Sequence, residues 1–120
     1  MTATSPYRYC KLFVRDSDRQ RVLDLVASTL SATVNRYTAA VGGLLLDVRR
    51  NGDSDSARTD DFLFWPIVVE VNAESTLDDK GVVDAISKLL RTAWGANMPT
   101  VAACPFESEL PWSGGIDRVS

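Results

Sequence analysis

The side chains that could do chemistry in this chain are carboxylates and two cysteines, because its 120 residues include no histidine. Histidine is the usual general base near neutral pH, the usual partner of a serine or cysteine nucleophile, and the commonest zinc ligand. Cys10 alternates with Leu12 and Val14, which indicates a small buried side chain, and Cys104 has no base beside it in sequence. We therefore expect no catalytic residue and no enzyme.

Two carboxylates provide the alternative. Asp47 and Glu70 fall on predicted strands that can pair, and two facing carboxylates are candidates for a general acid and a general base. The simpler interpretation is that each lies on a solvated face near Arg49 or Lys11, as exposed charges usually do.

Metal and phosphate motifs are incomplete. Asn51, Asp53 and Asp55 match the first ligands of a calcium loop, but Ser56 stands where the loop needs glycine and Phe62 where it needs glutamate. The glycine pairs at 42–43 and 114–115 have neither the lysine nor the helix start of a phosphate-binding loop. We expect no metal and no cofactor.

Apolar periodicity predicts the elements that position these residues. Residues 7–15 alternate as a strand, and a Ser17 to Gln20 capping box precedes a helix over 18–30. Residues 34–50 read as extended and are interrupted by Gly42-Gly43, so they form one kinked strand or two short ones.

The second half of the chain predicts a strand, a helix and a last strand. The run 61–73 is the longest apolar stretch and predicts a buried strand, with Pro66 at a bulge or an unpaired edge. Ser75 or Thr76 is placed to begin a second helix, Gly95 to cap its end, and residues 100–106 form the last strand.

This order predicts an α+β fold, a ferredoxin-like βαββαβ sandwich with a four-stranded antiparallel sheet and two helices on one face. In that architecture the first and last strands are neighbours, so Cys10 and Cys104 could lie side by side. The length fits a single domain over 1–120, with an ordered core of about 7–112 and a flexible C-terminal end.

Composition and the N-terminal residues predict the cellular compartment of the protein. No uncharged run approaches the roughly 20 residues of a membrane span, and the N-terminus lacks the basic and apolar regions of a signal peptide. Two cysteines are too few for a secreted disulfide scaffold. We expect a cytoplasmic protein that contacts no membrane.

Charge is unevenly distributed. Residues 1–50 carry 8 basic and 4 acidic side chains, whereas residues 51–120 carry 5 and 12. A clustered negative field attracts basic partners and repels phosphate backbones, so nucleic acid is not an expected ligand. Tyr7, Tyr9 and Phe13 would suit base stacking on an open sheet, but we favour a small core under the C-terminal tail, or a dimer seam.

The C-terminal run 104–112 combines apolar and acidic residues. Phe106, Leu110 and Trp112 are costly to leave in water, so they fold back on the domain or dock on a partner, beside Glu107 and Glu109. An aromatic anchor in an acidic rim would suit inhibition of a basic protein.

Three segments can be compared with known proteins: Asp47-Val-Arg-Arg-Asn51, Phe62-Leu-Phe-Trp-Pro66 with Val69-Glu70, and Ala103-Cys-Pro-Phe-Glu-Ser-Glu-Leu-Pro111. Together they resemble a group of small actinobacterial α+β proteins that are similar to toxin-immunity proteins. The resemblance implies a non-enzymatic module that neutralises a cognate, basic toxin domain, as a monomer or a homodimer. Acidic clusters and the aromatic tail then predict these contact residues: Asp53, Asp55, Asp60, Asp61, Glu107, Glu109 and Trp112. The alternative is a homodimeric ferredoxin-like domain that binds a small ligand, or an enzyme that uses Asp47 or Glu70.

Overall fold

The computed structural model describes residues 6–58 and 60–119 and shows one antiparallel sheet with its helices. The strands are β1 (Tyr9–Val14), β2 (Thr33–Asn35), β3 (Thr38–Val41), β4 (Leu44–Arg50), β5 (Ile67–Ala73) and β6 (Thr100–Ala103). The helices are α1 (Arg19–Leu30), α2 (Asp79–Gly95) and the single turn α3 (Ile116–Val119). Strand order across the sheet is β2-β3-β4-β5-β1-β6. The α+β class is confirmed, and the four-stranded count is wrong because the sheet has six strands.

The two additional strands come from the segment that the sequence predicted as one kinked strand or two short ones. Residues 33–50 form a meander of three strands with two tight turns. Gly42 and Gly43 both have positive φ, 50° and 88°, which fits a two-residue hairpin rather than a bulge. The other turn begins at Arg36, which adopts φ 57° without being glycine. Sequence gave no signal for it, because glycine, asparagine and aspartate usually mark such positions.

Both long helices begin at aspartates that sequence analysis passed over. The Asp18 carboxylate accepts hydrogen bonds from the backbone N–H groups of Gln20 and Arg21, so it replaces the predicted Ser17 cap. Asp78 caps α2 by accepting from Lys80, one turn later than the predicted Ser75 or Thr76. Aspartate caps a helix as well as serine does, and it also favours the positive end of the helix dipole.

The predicted strand over 61–73 starts only at Ile67. Residues 62–64 instead form a single 3₁₀ turn capped by Asp61, and Pro66 lies just before the strand. The Pro66 carbonyl accepts a hydrogen bond from the Asn51 N–H at 2.8 Å, which continues the β4 to β5 pairing by one step. A proline that needs only to accept is well placed at this edge.

The main core fills the space between the sheet and helices α1 and α2. Its fully buried side chains include Val22, Leu23, Leu46, Val48, Ile67, Val69, Val71, Val82, Ile86, Leu90 and Met98. Burying each such side chain contributes about 1.5–3 kcal/mol. The two-residue strand period puts alternate positions of β1, β4 and β5 on this face.

A smaller core lies on the opposite face at one end of the sheet. Phe13, Trp65, Val68 and Val101 are at most 5% exposed there, and Phe62 and Ile116 pack over them. The prediction of a small second core is therefore confirmed at Phe13. Tyr9, on the same face, is 42% exposed, and Tyr7 leaves the sheet to stack on Phe106 at 5.0 Å between ring centroids.

The chain after β6 folds back on its own domain. Phe106 and Leu110 are buried, and residues 107–119 form short helical turns along the outer edge of β6. Gly114 and Gly115 are buried with φ of 79° and 100°. A Cβ on Gly115 would lie 2.5 Å from the Thr100 carbonyl oxygen, so glycine is what permits this approach.

No helix in the described part of the chain is long and apolar enough to cross a bilayer. Residues 1–5, which carry most of the signal-peptide interpretation, and Ser120 lie outside the described residues.

We expect Gly115→Ala to lower the free energy of unfolding by about 2 kcal/mol, because its Cβ would clash with β6 and its φ is unfavourable for alanine. Urea unfolding monitored by circular dichroism measures the change. Gly95→Ala is the matched control, since nothing lies within 4 Å of its Cβ position and Gly95 is helical. The control should gain about 0.5 kcal/mol; equal effects at both sites would contradict the close approach.

Candidate functional site

The structure separates the seven predicted contact residues into two regions at opposite ends of the strands. Asp53, Asp55, Asp60 and Asp61 lie in the loop between β4 and β5, which leads into the Ile67 end of β5. Glu107 and Glu109 follow the other end of the sheet, where Ala103 pairs with Lys11. Since β5 has seven residues, the two acidic regions are roughly 20 Å apart along the strand direction. No single small pocket gathers all seven.

Carboxylates in the β4 to β5 loop organise the loop itself. Asp55 accepts a hydrogen bond from the Ala57 N–H at 2.9 Å, and Asp61 accepts from the Leu63 N–H at 3.0 Å. These are local turn and cap contacts of the kind that aspartate side chains often make. Asp53 and Asp60 are exposed. The loop therefore presents negative charge to solvent on a hydrogen-bonded frame.

The glutamates after β6 also contact their own domain. Glu107 accepts a hydrogen bond from the Cys104 N–H at 3.4 Å, and Glu109 accepts one from the Tyr7 hydroxyl. The Glu109 hydrogen bond is the largest cause of a raised pKa for Tyr7, because the phenol must keep its proton to donate. Both glutamates remain exposed.

Trp112 is the most exposed large apolar side chain of the described residues, at 58%. Its φ of 54° and the 51° of Ser113 lie in the left-handed region, and Gly114 and Gly115 continue with positive φ. A side-chain-bearing residue pays about 1–2 kcal/mol for this conformation. The aromatic ring of Trp112 is thus exposed to water, and its backbone has a conformation that is unfavourable for a residue with a side chain. Such outliers persist where surrounding structure fixes them and are frequent at functional sites.

The surroundings of Trp112 differ from the acidic rim expected from sequence. A shallow groove of about 370 Å³ is lined by Arg91, Trp94, Gly95, Pro111, Trp112 and Arg118. The Arg118 guanidinium stacks over the Trp94 ring at 4.6 Å. Glu109 lies in the adjoining groove, together with Asp84 and Lys88. The rim is therefore mixed in charge, because Arg91 lines both grooves and Arg118 lies on the same rim as the carboxylates of the adjoining groove.

Asp47 and Glu70 are directly opposed on the open face of the sheet. They belong to a row that crosses five strands, formed by Thr38, Asp47, Glu70, Lys11 and Ala103. The Thr38 hydroxyl donates to Asp47 at 2.5 Å, and an Arg49 guanidinium nitrogen lies 3.9 Å from a Glu70 oxygen. The predicted position of Glu70 beside Arg49 is confirmed. Arg49 is 58% exposed, so this ion pair is largely solvated.

The two cysteines are neighbours, an arrangement that the predicted strand order allowed. Cys10 in β1 is fully buried, and Cys104 follows β6 and is partly exposed. The interaction with the Cys104 thiol, followed by burial, raises the pKa of Cys10, and the same interaction lowers the pKa of Cys104. The two thiols therefore differ, because the one with the lowered pKa, Cys104, is also the more exposed.

The described ranges contain no candidate cluster of metal-binding side chains. Among residues 6–58 and 60–119, no group of three or more His, Cys, Asp or Glu side chains is arranged to hold an ion. Comparison of the chain with protein-family models, with curated proteins and with solved structures gives no match.

Sequence reasoning missed the arginines beside Trp112. Arg91 and Trp94 are three residues apart on α2, so they share a helix face, and that spacing was available as a signal. Arg118 reaches Trp94 only because the left-handed turn reverses the chain at residues 112–115. Nothing in the residue types at 112 and 113 indicates that turn.

We expect Trp112→Gly to be more stable than Trp112→Ala by about 1 kcal/mol, because only glycine adopts positive φ without cost. The comparison cancels the lost indole contacts, which both variants lack. Thermal or urea unfolding of the two purified variants measures the difference. Alanine equal to or better than glycine at this position would contradict the backbone strain.

We also expect Tyr7 to ionise with a pKa above the usual value of 10.0, so that Tyr7→Phe lacks one tyrosinate transition in that high pH range. Because its folded pKa is raised, the Tyr7 to Glu109 contact stabilises the fold below pH 10.0 and is lost as pH rises through the folded pKa. Ultraviolet titration of tyrosinate in both proteins measures this. A Tyr7 ionisation below the usual value would contradict the hydrogen bond.

Proposed function

We propose that this chain is a non-enzymatic protein-binding module centred on Trp112, most concretely an immunity protein that neutralises a cognate toxin by covering its active site. The observation that carries the proposal is the exposure of Trp112 on a strained, packed turn. Tryptophan is among the residues that dominate binding energy when they enter a partner's pocket. The packing of Gly114 and Gly115 on β6 holds the backbone of Trp112 in place before binding, which reduces the ordering cost.

The two acidic regions have different roles in this proposal. Glu107 and Glu109 lie in the same C-terminal segment as Trp112 and make contacts at the rim. Asp53, Asp55, Asp60 and Asp61 lie at the far end of the sheet and raise the association rate of a basic partner through their field. Arg91 and Arg118 add hydrogen-bond donors. They would bind a carboxylate or carbonyl group of the partner next to the pocket that receives Trp112.

The fold supports an assignment to the ferredoxin-like type, which we include in the proposal. Strands β4, β5, β1 and β6 are consecutive and antiparallel, with α1 following β1 and α2 following β5. This is the order expected for a βαββαβ unit. Strands β2 and β3 are then an addition at one edge. A cytoplasmic location is part of the proposal too, and two adjacent reduced cysteines are compatible with it.

A second candidate is a homodimer that holds a small ligand between two sheet faces, with Asp47 or Glu70 as binding or catalytic groups. The observation in its favour is the open face, where Tyr9 and Leu45 are 42% and 49% exposed beside the charged row. Lys11 and Arg49 balance Asp47 and Glu70, so two copies of this face are complementary in charge. Light scattering coupled to size exclusion separates the candidates, because a strict monomer has no chamber between sheets.

The proposed function predicts that Trp112→Ala binds the toxin domain encoded beside its gene at least about thirtyfold more weakly than the wild type, the loss expected of a hot-spot residue. Calorimetry measures the affinity, and growth of cells that co-express the toxin measures neutralisation. Leu63→Ala is the matched control, because Leu63 is 48% exposed in the loop at the far end of the sheet.

The control should bind like the wild type. Full binding by Trp112→Ala would contradict the placement of the contact surface. Absence of a neighbouring toxin gene, together with no protein captured from the native host, would overturn the immunity role itself.

A further inference from the structure

Cys10 and Cys104 form a dithiol that the protein-binding proposal does not use. The pairing of β1 with β6 aligns Leu12 with Ala102 and Lys11 with Ala103. One step further along the same register, Cys10 faces Cys104, and Cys104 packs against the main core that contains Cys10. Cross-strand neighbours have Cβ atoms about 4.5–5.5 Å apart, close to the separation that a disulfide requires.

The two thiols have different environments. Cys10 is completely buried among core side chains between the sheet and α2. Cys104 is partly exposed and follows the last residue of β6, and its pKa is lowered by Cys10 and by the Phe106 backbone against the opposing effect of burial. The attacking sulfur in cysteine chemistry is the accessible one with thiolate character, and a nearby second thiol completes the reaction.

We propose that Cys104 and Cys10 are a reversible redox site, in which Cys104 is oxidised by a hydroperoxide and Cys10 resolves the product into an intramolecular disulfide. The site differs from a fully buried structural disulfide because Cys104 is partly exposed. It also differs from a lone reactive cysteine, because the resolving thiol lies directly across the strand pair. Oxidation needs no protein partner and is independent of the Trp112 surface.

The reaction balances in two steps. The Cys104 thiolate attacks one peroxide oxygen, the O–O bond breaks, an S–O bond forms, and the released hydroxide takes up a proton to become water. Cys10 then loses its proton and attacks the Cys104 sulfur, so that an S–S bond forms and the S–O bond breaks. The leaving hydroxide combines with that proton as a second water. The two cysteines lose two electrons and the peroxide gains them.

The disulfide would fix the start of the C-terminal segment. Residues 105–119 follow Cys104 directly and are held along β6 by packing and by noncovalent contacts such as the Tyr7 to Glu109 hydrogen bond. A covalent bond from Cys104 to β1 restricts how far this segment can separate from the sheet in partly unfolded states. Oxidation therefore raises the midpoint of thermal unfolding and protects the segment from proteolysis.

The test uses hydrogen peroxide on the full chain, followed by quantification of free thiols and intact-mass measurement. The wild type should lose both thiols and the mass of two hydrogen atoms, remain a single chain, and recover with dithiothreitol. Cys104→Ser should lose thiol at least about tenfold more slowly, because the buried Cys10 lacks access. Cys10→Ala should accumulate a sulfenic acid at Cys104 that dimedone traps, since the resolving thiol is gone.

Several outcomes would overturn the proposal. The folded wild type could keep both thiols under conditions that oxidise the urea-unfolded chain, which would show that Cys104 is shielded. Disulfides could form only between chains, or Cys104 could proceed to higher oxides while Cys10 stays reduced. Any of these shows that the two sulfurs do not react as a pair. The wild-type comparison of folded and unfolded chains needs no variant to fold.

Discussion

The position of β1 between β5 and β6 is the constraint on which the rest of the molecule depends. Residues Lys11 to Val14 of this strand have a partner on both sides, so its register fixes the relations between distant parts of the chain. Cys10 is brought to Cys104, Lys11 to Glu70, and Phe13 to both Val68 and Val101. A one-residue slip would exchange the two faces of the strand and break all three arrangements together.

The need to cover the outer edge of β6 explains the path of the C-terminal segment. An edge strand offers unpaired backbone groups to other chains unless it is covered. Here the Trp94 indole donates to the Thr100 carbonyl at 3.0 Å, and Gly114 and Gly115 lie against the strand. This coverage requires a left-handed turn at residues 112–115. Trp112 enters the turn with its side chain outward, so the protection of the edge and the exposure of the ring have one structural origin.

The two sheet faces differ in how completely they are covered. One face is buried under α1 and α2, whereas the other is covered only where Phe62, Trp65 and Ile116 pack over Phe13. Beyond that cluster the charged row from Thr38 to Lys11 meets solvent. Its Arg49 to Glu70 ion pair is largely solvated and of small energetic weight, whereas its Thr38 to Asp47 hydrogen bond is partly buried.

The sequence alone determined the α+β class, most of both long helices, the buried pattern of β5 and the proximity of the two cysteines, because these follow from local periodicity and from a short list of strand orders. It did not determine the strand count, since Arg36 gives no sign of a turn. It also did not determine the groove beside Trp112. Positive φ at Trp112 and Ser113 is unfavourable locally and is imposed by packing of Gly114 and Gly115 on β6, so only the tertiary structure decided it.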